Sequence, residues 1–251
     1  MKITHIHIER FRGFQNEDFE VGSLLTAIAG QNGTQKSTLL AIVTQTFTLK
    51  AEDPMRAEKP LCGGSFDAGM DDFTVESIKR TGDPNVRFWK KGARQEGDGY
   101  ISFPTIFLSL KRLVPVAEEA KIITDDTLLT QEELNEFKQL HNKILIAQTP
   151  ISSATTITSK NKQSIGVSTE LYDWNQNSMG QDNLGKIILA LFSFKRLHDK
   201  YPRQYKGGIL AIDEMDATMY PASQVELLKV LRKYASKLNL QILFTTHSMS
   251  L

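Results

Sequence analysis

Three compact apolar runs, at 24–29, 208–212 and 241–245, are too short for helices and show no alternation, the pattern of strands buried on both faces. The first leads through a glycine-containing loop into a helical stretch at 37–47, and a helix over 221–238 separates the other two. The spacing of Leu134, Phe137, Leu140, His141, Ile144 and Leu145 marks an amphipathic helix from 130 to about 147. Leu184, Ile187, Ile188, Leu191 and Phe192 mark another over 183–198. The opening KITHIHIERFRGF is β-branched and partly alternating, a strand running into a basic turn. Segments 73–78 and 86–89 flank the turn sequence TGDPN and are expected to form an antiparallel hairpin. The apolar run 101–110 reads as a further strand, with Pro104 placing its start at a sheet edge. Residues 50–72 read as an irregular connection, and the Ser/Thr-rich stretch 149–164 as a mobile loop. The back half alternates helix and strand, as parallel α/β sheets do.

Composition adds little to this picture. The chain has 251 residues, 40% hydrophobic and 24% charged, which is ordinary for a globular protein. A formal net charge of +1 neither announces nor excludes nucleic acid, so any basic surface must be local. Clusters at Lys79-Arg80, Lys90-Lys91-Arg94 and Lys111-Arg112 could meet phosphates, but solvated surface is the commoner role of such clusters. A lone cysteine, Cys62, excludes an internal disulfide and suits a reducing compartment, so a cytoplasmic location is expected. No apolar run approaches the ~18 residues of a spanning helix, and no membrane role is expected.

The chemistry is concentrated where the apolar runs end. Gly30-Gln-Asn32-Gly33-Thr34-Gln35-Lys36-Ser37-Thr38 fits the phosphate-loop pattern G-x-x-x-x-G-K-[ST] except at Gln35, which replaces the second glycine. Such a loop turns backbone N–H groups toward a polyphosphate at the positive end of the following helix. Lys36 would reach the β- and γ-phosphates of ATP and Ser37 would hold Mg²⁺. A side chain at position 35 is expected to strain the turn by about 1–3 kcal/mol. The run 208–212 ends in Asp213-Glu214, where Asp213 would join the Mg²⁺ shell and Glu214 would polarise the attacking water. Alone, that pair would read as acidic caps of a following helix; in company with the phosphate loop it reads as a metal and catalytic pair. Asn177-Ser178-Met179-Gly180-Gln181 stands before the helix expected from 183, offering a hydroxyl and N–H groups at a helix N-terminus. His247 follows the last apolar run, where an imidazole can face a γ-phosphate.

The order of these motifs resembles the ABC ATPase superfamily: phosphate loop, S-x-G-Q before a helix, an apolar strand ending in Asp-Glu, then a histidine after the next strand. Asp216-Ala-Thr-Met-Tyr-Pro221 stands where that superfamily has its D-loop, and IERFRGF looks like the opening of SMC, RecF and OLD-type ATPases. The resemblance covers both ends well and residues 50–170 poorly. It implies an α/β P-loop NTPase head of ABC-ATPase type, with a mainly parallel sheet flanked by helices. An N-terminal antiparallel β part and a short helical insertion complete that expectation, with no long coiled coil. Residues 1–115 would be an N-terminal lobe, 116–170 an insertion, and 171–251 a C-terminal lobe. It also implies a homodimer closed around ATP, with Ser178, Gly180 and Gln181 of one copy completing the other's phosphate site, and Arg12 near the nucleotide. Heads of this type normally continue beyond the switch histidine, so a longer protein is expected.

Three functions follow as expectations. The first is an ATPase switch controlling a nucleic-acid transaction or a nuclease effector, fused or separate. Its compact form resembles the ATPases of antiphage systems of the OLD, Septu and retron-associated kinds. The second is a nucleotide-held scaffold that scarcely hydrolyses, with Gln35 as the sign of relaxed chemistry. The third is a transporter subunit, against which the FRGF opening and the unusual middle both argue.

Overall fold

The computed structural model describes residues 1–45, 47, 49, 52–66, 102–114, 121–125, 127–159 and 163–248. At its centre is a four-stranded parallel sheet in the order β3 (Leu25–Ala29), β9 (Leu240–Thr246), β8 (Gly208–Ile212), β4 (Thr105–Leu108). The three expected runs are thus three adjacent strands, and β9 and β8 are buried at every position. Among the described residues β4 lies at the edge, where Pro104 needs no sheet partner for the N–H it lacks. Its carbonyl is still used, accepting the N–H of Ile209.

Alternate residues of β8 enter two different cores. Ile209 and Ala211 pack with Leu40 and Val43 of helix α1 (Lys36–Gln45), while Leu210 and Ile212 face the larger core. That core is built on helices α3 (Met179–Lys200) and α4 (Pro221–Lys237). Helix α3 is buried at all of residues 182–194, which explains an apolar pattern that runs around the helix rather than along one stripe. Helix α2 (Gln131–Leu145) begins with a capping box between Thr130 and Glu133 and ends at Ile146 in a left-handed conformation. The Glu133 carboxylate then accepts two hydrogen bonds from Arg196 of α3, at 2.8 and 2.6 Å, tying the two helices together.

An N-terminal hairpin, β1 (His5–Phe11) and β2 (Phe14–Glu20), turns at Arg12-Gly13 and supplies the expected antiparallel β part. The second expected hairpin, 73–78 with 86–89, lies outside the described residues, as do the basic clusters at 79–94. Where it is described, the Ser/Thr-rich stretch is mostly strand: it contains β6 (Ser153–Thr158) and the start of β7 (Gln163–Ser168), antiparallel to each other, with β5 (Ile123–Asp125) pairing on β6. Threonine and isoleucine are β-branched and favour extended backbone, so a polar composition concealed a strand pair. Burial settles it: Ile157, Ile165 and Val167 are almost fully covered and β7 packs on α3.

No helix among the described residues is long and apolar enough to cross a membrane.

Candidate functional site

Parallel pairing sets Ala29 beside Thr246, and Ile212 beside both Phe244 and Leu108. The residues that follow each strand therefore emerge together at one edge of the sheet, which is where open α/β sheets take ligands. After β3 comes the loop 30–35, with Asn32 and Gly33 at its turn, leading directly into α1. Gly33 has φ +80° and Gln35 φ +63°, so the departure from the phosphate-loop pattern falls on a residue in left-handed backbone. The strain expected at Gln35 is present, of order 1–2 kcal/mol for a residue with a Cβ. The side chain gives something back, since Gln35 Oε1 accepts the N–H of Gly13 at 3.2 Å. Gly13 must be glycine for this contact: a Cβ there would stand 2.0 Å from Gln35 Nε2.

Lys36 is buried, and its ammonium donates to the carbonyls of Gly30 and Gln31, both at 2.8 Å. The Thr34 hydroxyl donates to Gln31 as well, closing the loop on itself. Arg12 donates from Nη1 to the Thr38 hydroxyl at 3.0 Å, so the turn of the hairpin rests on the first turn of α1. Ser37 Oγ donates to Asp213 Oδ1 at 2.8 Å across 176 residues of sequence. Thr245 Oγ1 donates to the same carboxylate oxygen at 2.7 Å and accepts the N–H of Glu214 at 2.6 Å. Glu214 sits in left-handed backbone, φ +49°, with its Oε1 3.4 Å from His247 Nε2. The His247 N–H in turn donates to Asp216 Oδ2. One cluster thus unites Ser37 of α1 with Asp213 and Glu214 beyond β8 and His247 beyond β9.

The serine-glycine segment is placed differently from its expectation. Helix α3 begins at Met179, not near 183, so Gly180 and Gln181 lie inside its first turn and Ser178 is its N-cap. Ser178 and Gln181 form a capping box, and Gln181 Nε2 donates to the Tyr172 hydroxyl at 2.6 Å. The earlier start has a local cause: the reciprocal cap satisfies two backbone donors of the first turn. A Cβ on Gly180 would lie 2.6 Å from the Thr218 carbonyl, so glycine allows the 216–221 loop to close on the helix. The described contacts of Ser178, Gly180 and Gln181 run to that loop and to Tyr172, and none runs to residues 30–38.

Arg112 corrects a second expectation. Instead of joining a solvated basic cluster it is only 3% exposed. It donates to Asn183 Oδ1 (2.7 Å), to the carbonyls of Leu108 (3.1 Å) and Ser109 (3.0 Å), and to the Glu214 carbonyl (2.9 Å). Burial pushes its guanidinium down to about 10, while Asp213 and Glu214 hold it up, so it stays charged at neutral pH. Asn183 passes the link on, donating to the Ala217 carbonyl at 3.0 Å. Sequence reading missed Arg112, Asn183 and Thr245 in this role. The available signal was Arg112's place just past an apolar strand beside 208–212, which does not show which way the side chain turns.

A loop, a carboxylate pair and a histidine thus lie together at one edge of a parallel sheet, the arrangement of a P-loop ATPase. The chain belongs to the AAA ATPase domain family, whose model matches residues 109–251. That segment contains Asp213, Glu214 and His247, while the loop at 30–38 precedes it. Among solved structures the fold is similar to an SMC head bound to the C-winged helix domain of ScpA, with TM-score 0.58 and 14% identity over 99% of this chain and 90% of that one. It is also similar to an SMC head domain from Thermotoga maritima, with TM-score 0.51 and 12% identity over 99% and 90% of the two chains. At these identities the likeness shows the fold. No curated protein matches the chain significantly.

Proposed function

We propose that the chain is an ATP-hydrolysing switch whose two copies close around ATP and open after hydrolysis. The observation that carries this reading is the hydrogen bond between Ser37 and Asp213, which joins the loop serine to the carboxylate of a separate strand. A hydroxyl and a carboxylate are the hard oxygen donors that suit Mg²⁺, so the residues present fit the ion. Bound there, Mg²⁺ would neutralise charge on the β- and γ-phosphates. Lys36 leaves the carbonyls of Gly30 and Gln31 to meet those phosphates, with the N–H groups of Gly33, Thr34, Gln35, Ser37 and Thr38 around them and Arg12 alongside. Asn32 lies at the tip of the same loop. Glu214 accepts a proton from the attacking water, and His247, beside it, senses the γ-phosphate.

Ser178, Gly180 and Gln181 are offered to the second copy. Their own-chain contacts hold the helix start in place and leave its N-terminal end as an anion site for a partner's γ-phosphate. In this reading residues 1–115 and 171–251 are the two lobes that meet at the nucleotide, and 116–170 an insertion. The state of the dimer controls a nucleic-acid transaction or a nuclease effector, fused or separate, in antiphage defence in the cytoplasm; the motif order set out above supports this. A second reading, a nucleotide-held scaffold with slow turnover, is favoured by Gln35 in left-handed backbone.

Mg²⁺-dependent ATP turnover of the wild type beside Glu214→Gln separates the two. The switch requires turnover that falls by about 10²-fold or more in the variant, as loss of a general base does. It also requires ATP-induced dimers of Glu214→Gln by light scattering, abolished by Ser178→Arg. Absence of turnover in both, with dimers intact, leaves the scaffold.

A further inference from the structure

We propose that the outer face of the N-terminal hairpin is a binding site for a nitrogen-seeking divalent ion, of which Zn²⁺ is the type. The β1–β2 register places His7 opposite Asp18 and His5 opposite Glu20. Side chains two apart on a strand share a face, so all four stand on one side of the ribbon. The opposite side, with Ile6, Ile8 and Phe19, is the more covered one. His5 Nε2 lies 2.7 Å and His7 Nδ1 2.8 Å from the same oxygen of Asp18, and the three ligand atoms lie within 4.8 Å of one another.

Two imidazoles converging on one carboxylate form a donor set of the kind that holds Zn²⁺, with Zn–N and Zn–O bonds of about 2.0–2.2 Å. Tetrahedral geometry at those lengths separates ligand atoms by about 3.3 Å, so admitting the ion needs a spread of about half an ångström at side-chain tips. A water can supply the fourth ligand. On binding, each ring moves its remaining proton to the nitrogen that faces away and offers the lone pair instead of the N–H. Imidazole suits Zn²⁺, whereas Mg²⁺ prefers oxygen donors, so this site and the one proposed at Ser37 and Asp213 select different ions. A two-residue turn joins the strands, so the backbone presents the ligands already in register. That turn carries Gly13 and Arg12, which bond Gln35 and Thr38, so an ion clamping β1 to β2 stiffens the support of the 30–38 loop.

The test is titration of untagged, chelator-treated protein with Co²⁺, followed by visible absorption, and with Zn²⁺ by calorimetry. His5→Ala, His7→Ala and Asp18→Asn are compared with the wild type, with matched thermal unfolding to show that each folds. The expected result is one tight equivalent of Zn²⁺ that displaces Co²⁺, weakened about tenfold or more in each variant, with Mg²⁺ unable to compete. Zn²⁺ binding unchanged in the His5→Ala, His7→Ala double variant, or absent from the wild type up to millimolar ion, overturns the proposal. ATP turnover is not read, so the result stands apart from the function proposed above.

Discussion

Arg112→Lys keeps the positive charge and removes the fork. The guanidinium serves four acceptors on three sides, Asn183 Oδ1, the Leu108 and Ser109 carbonyls, and the Glu214 carbonyl. One ammonium cannot span them. Three of the acceptors have a second donor: the Leu108 carbonyl from Asp213 N–H, the Ser109 carbonyl from Arg112's own N–H, and the Glu214 carbonyl from Ala217 N–H. Asn183 Oδ1 relies on Arg112 more heavily. Hydrogen bonds to charged groups contribute about 1.5–3 kcal/mol each, so losing two of four destabilises the fold by about 3–6 kcal/mol. The kinetic effect has a different origin. Glu214 is held in left-handed backbone by its N–H bond to Thr245 and its carbonyl bond to Arg112. Without Arg112 only the Ala217 N–H holds that carbonyl, which lets the residue relax toward ordinary backbone and carries its carboxylate away from the place proposed for the attacking water. A displacement near 1 Å at such a group costs about 10²-fold in rate. Lys36 and Ser37 bond other partners, so ATP affinity should change by no more than a few-fold. The assay is steady-state turnover normalised to folded protein, with ATP binding measured separately below the lowered melting point. Arg112→Lys with wild-type turnover per folded molecule would refute the coupling of this residue to Glu214, whatever the loss in stability.

Gln35→Gly and Gln35→Ala both lose the bond to Gly13, but only glycine escapes the left-handed penalty; urea unfolding should show Gly above Ala by about 1 kcal/mol, and equal stabilities would mean that position 35 carries no strain. His141 is buried, stacked on Phe137, and neither ring nitrogen has a hydrogen-bond partner among the described residues, so burial lowers its pKa to about 4. The unfolded chain takes up a proton below about pH 6.5 that the native state refuses, so stability is full above that pH and falls as pH drops toward 4, by about 3 kcal/mol from this residue. His141→Leu should flatten the stability profile between pH 6.5 and 4, and a variant with the wild-type slope would show that another group sets it.

The strands and the polar groups at their ends were legible because their motifs are local. A glycine loop, an Asp-Glu pair and a histidine each end a short apolar run; all three runs are strands, but only β8 and β9 are covered on both faces, while β3 is left partly exposed. Their order along the chain was enough to expect a parallel sheet with a phosphate-binding edge. The returning strand β2 was not legible, since FQNEDFE is nearly all polar and owes its shape to pairing with β1. The 149–164 segment was misread because composition outweighed branching at Cβ, and the covering of Ile157 comes from contacts distant in sequence. Arg112 was misplaced for the same kind of reason. A basic residue after a strand can turn to solvent or inward, and the choice depends on acceptors supplied by Asn183 and Glu214, 71 and 102 residues away.

Sequence by itself therefore determined the chemistry available and the strands that carry it, because backbone pattern and motif spacing are properties of neighbours. Tertiary structure decided which groups meet. Ser37 reaches Asp213, Gln35 settles over Gly13, and Arg112 is held charged in the interior. Each of these depends on hydrogen-bond partners brought together by the packing of the sheet against α1 and α3, and no stretch of local sequence contains both partners.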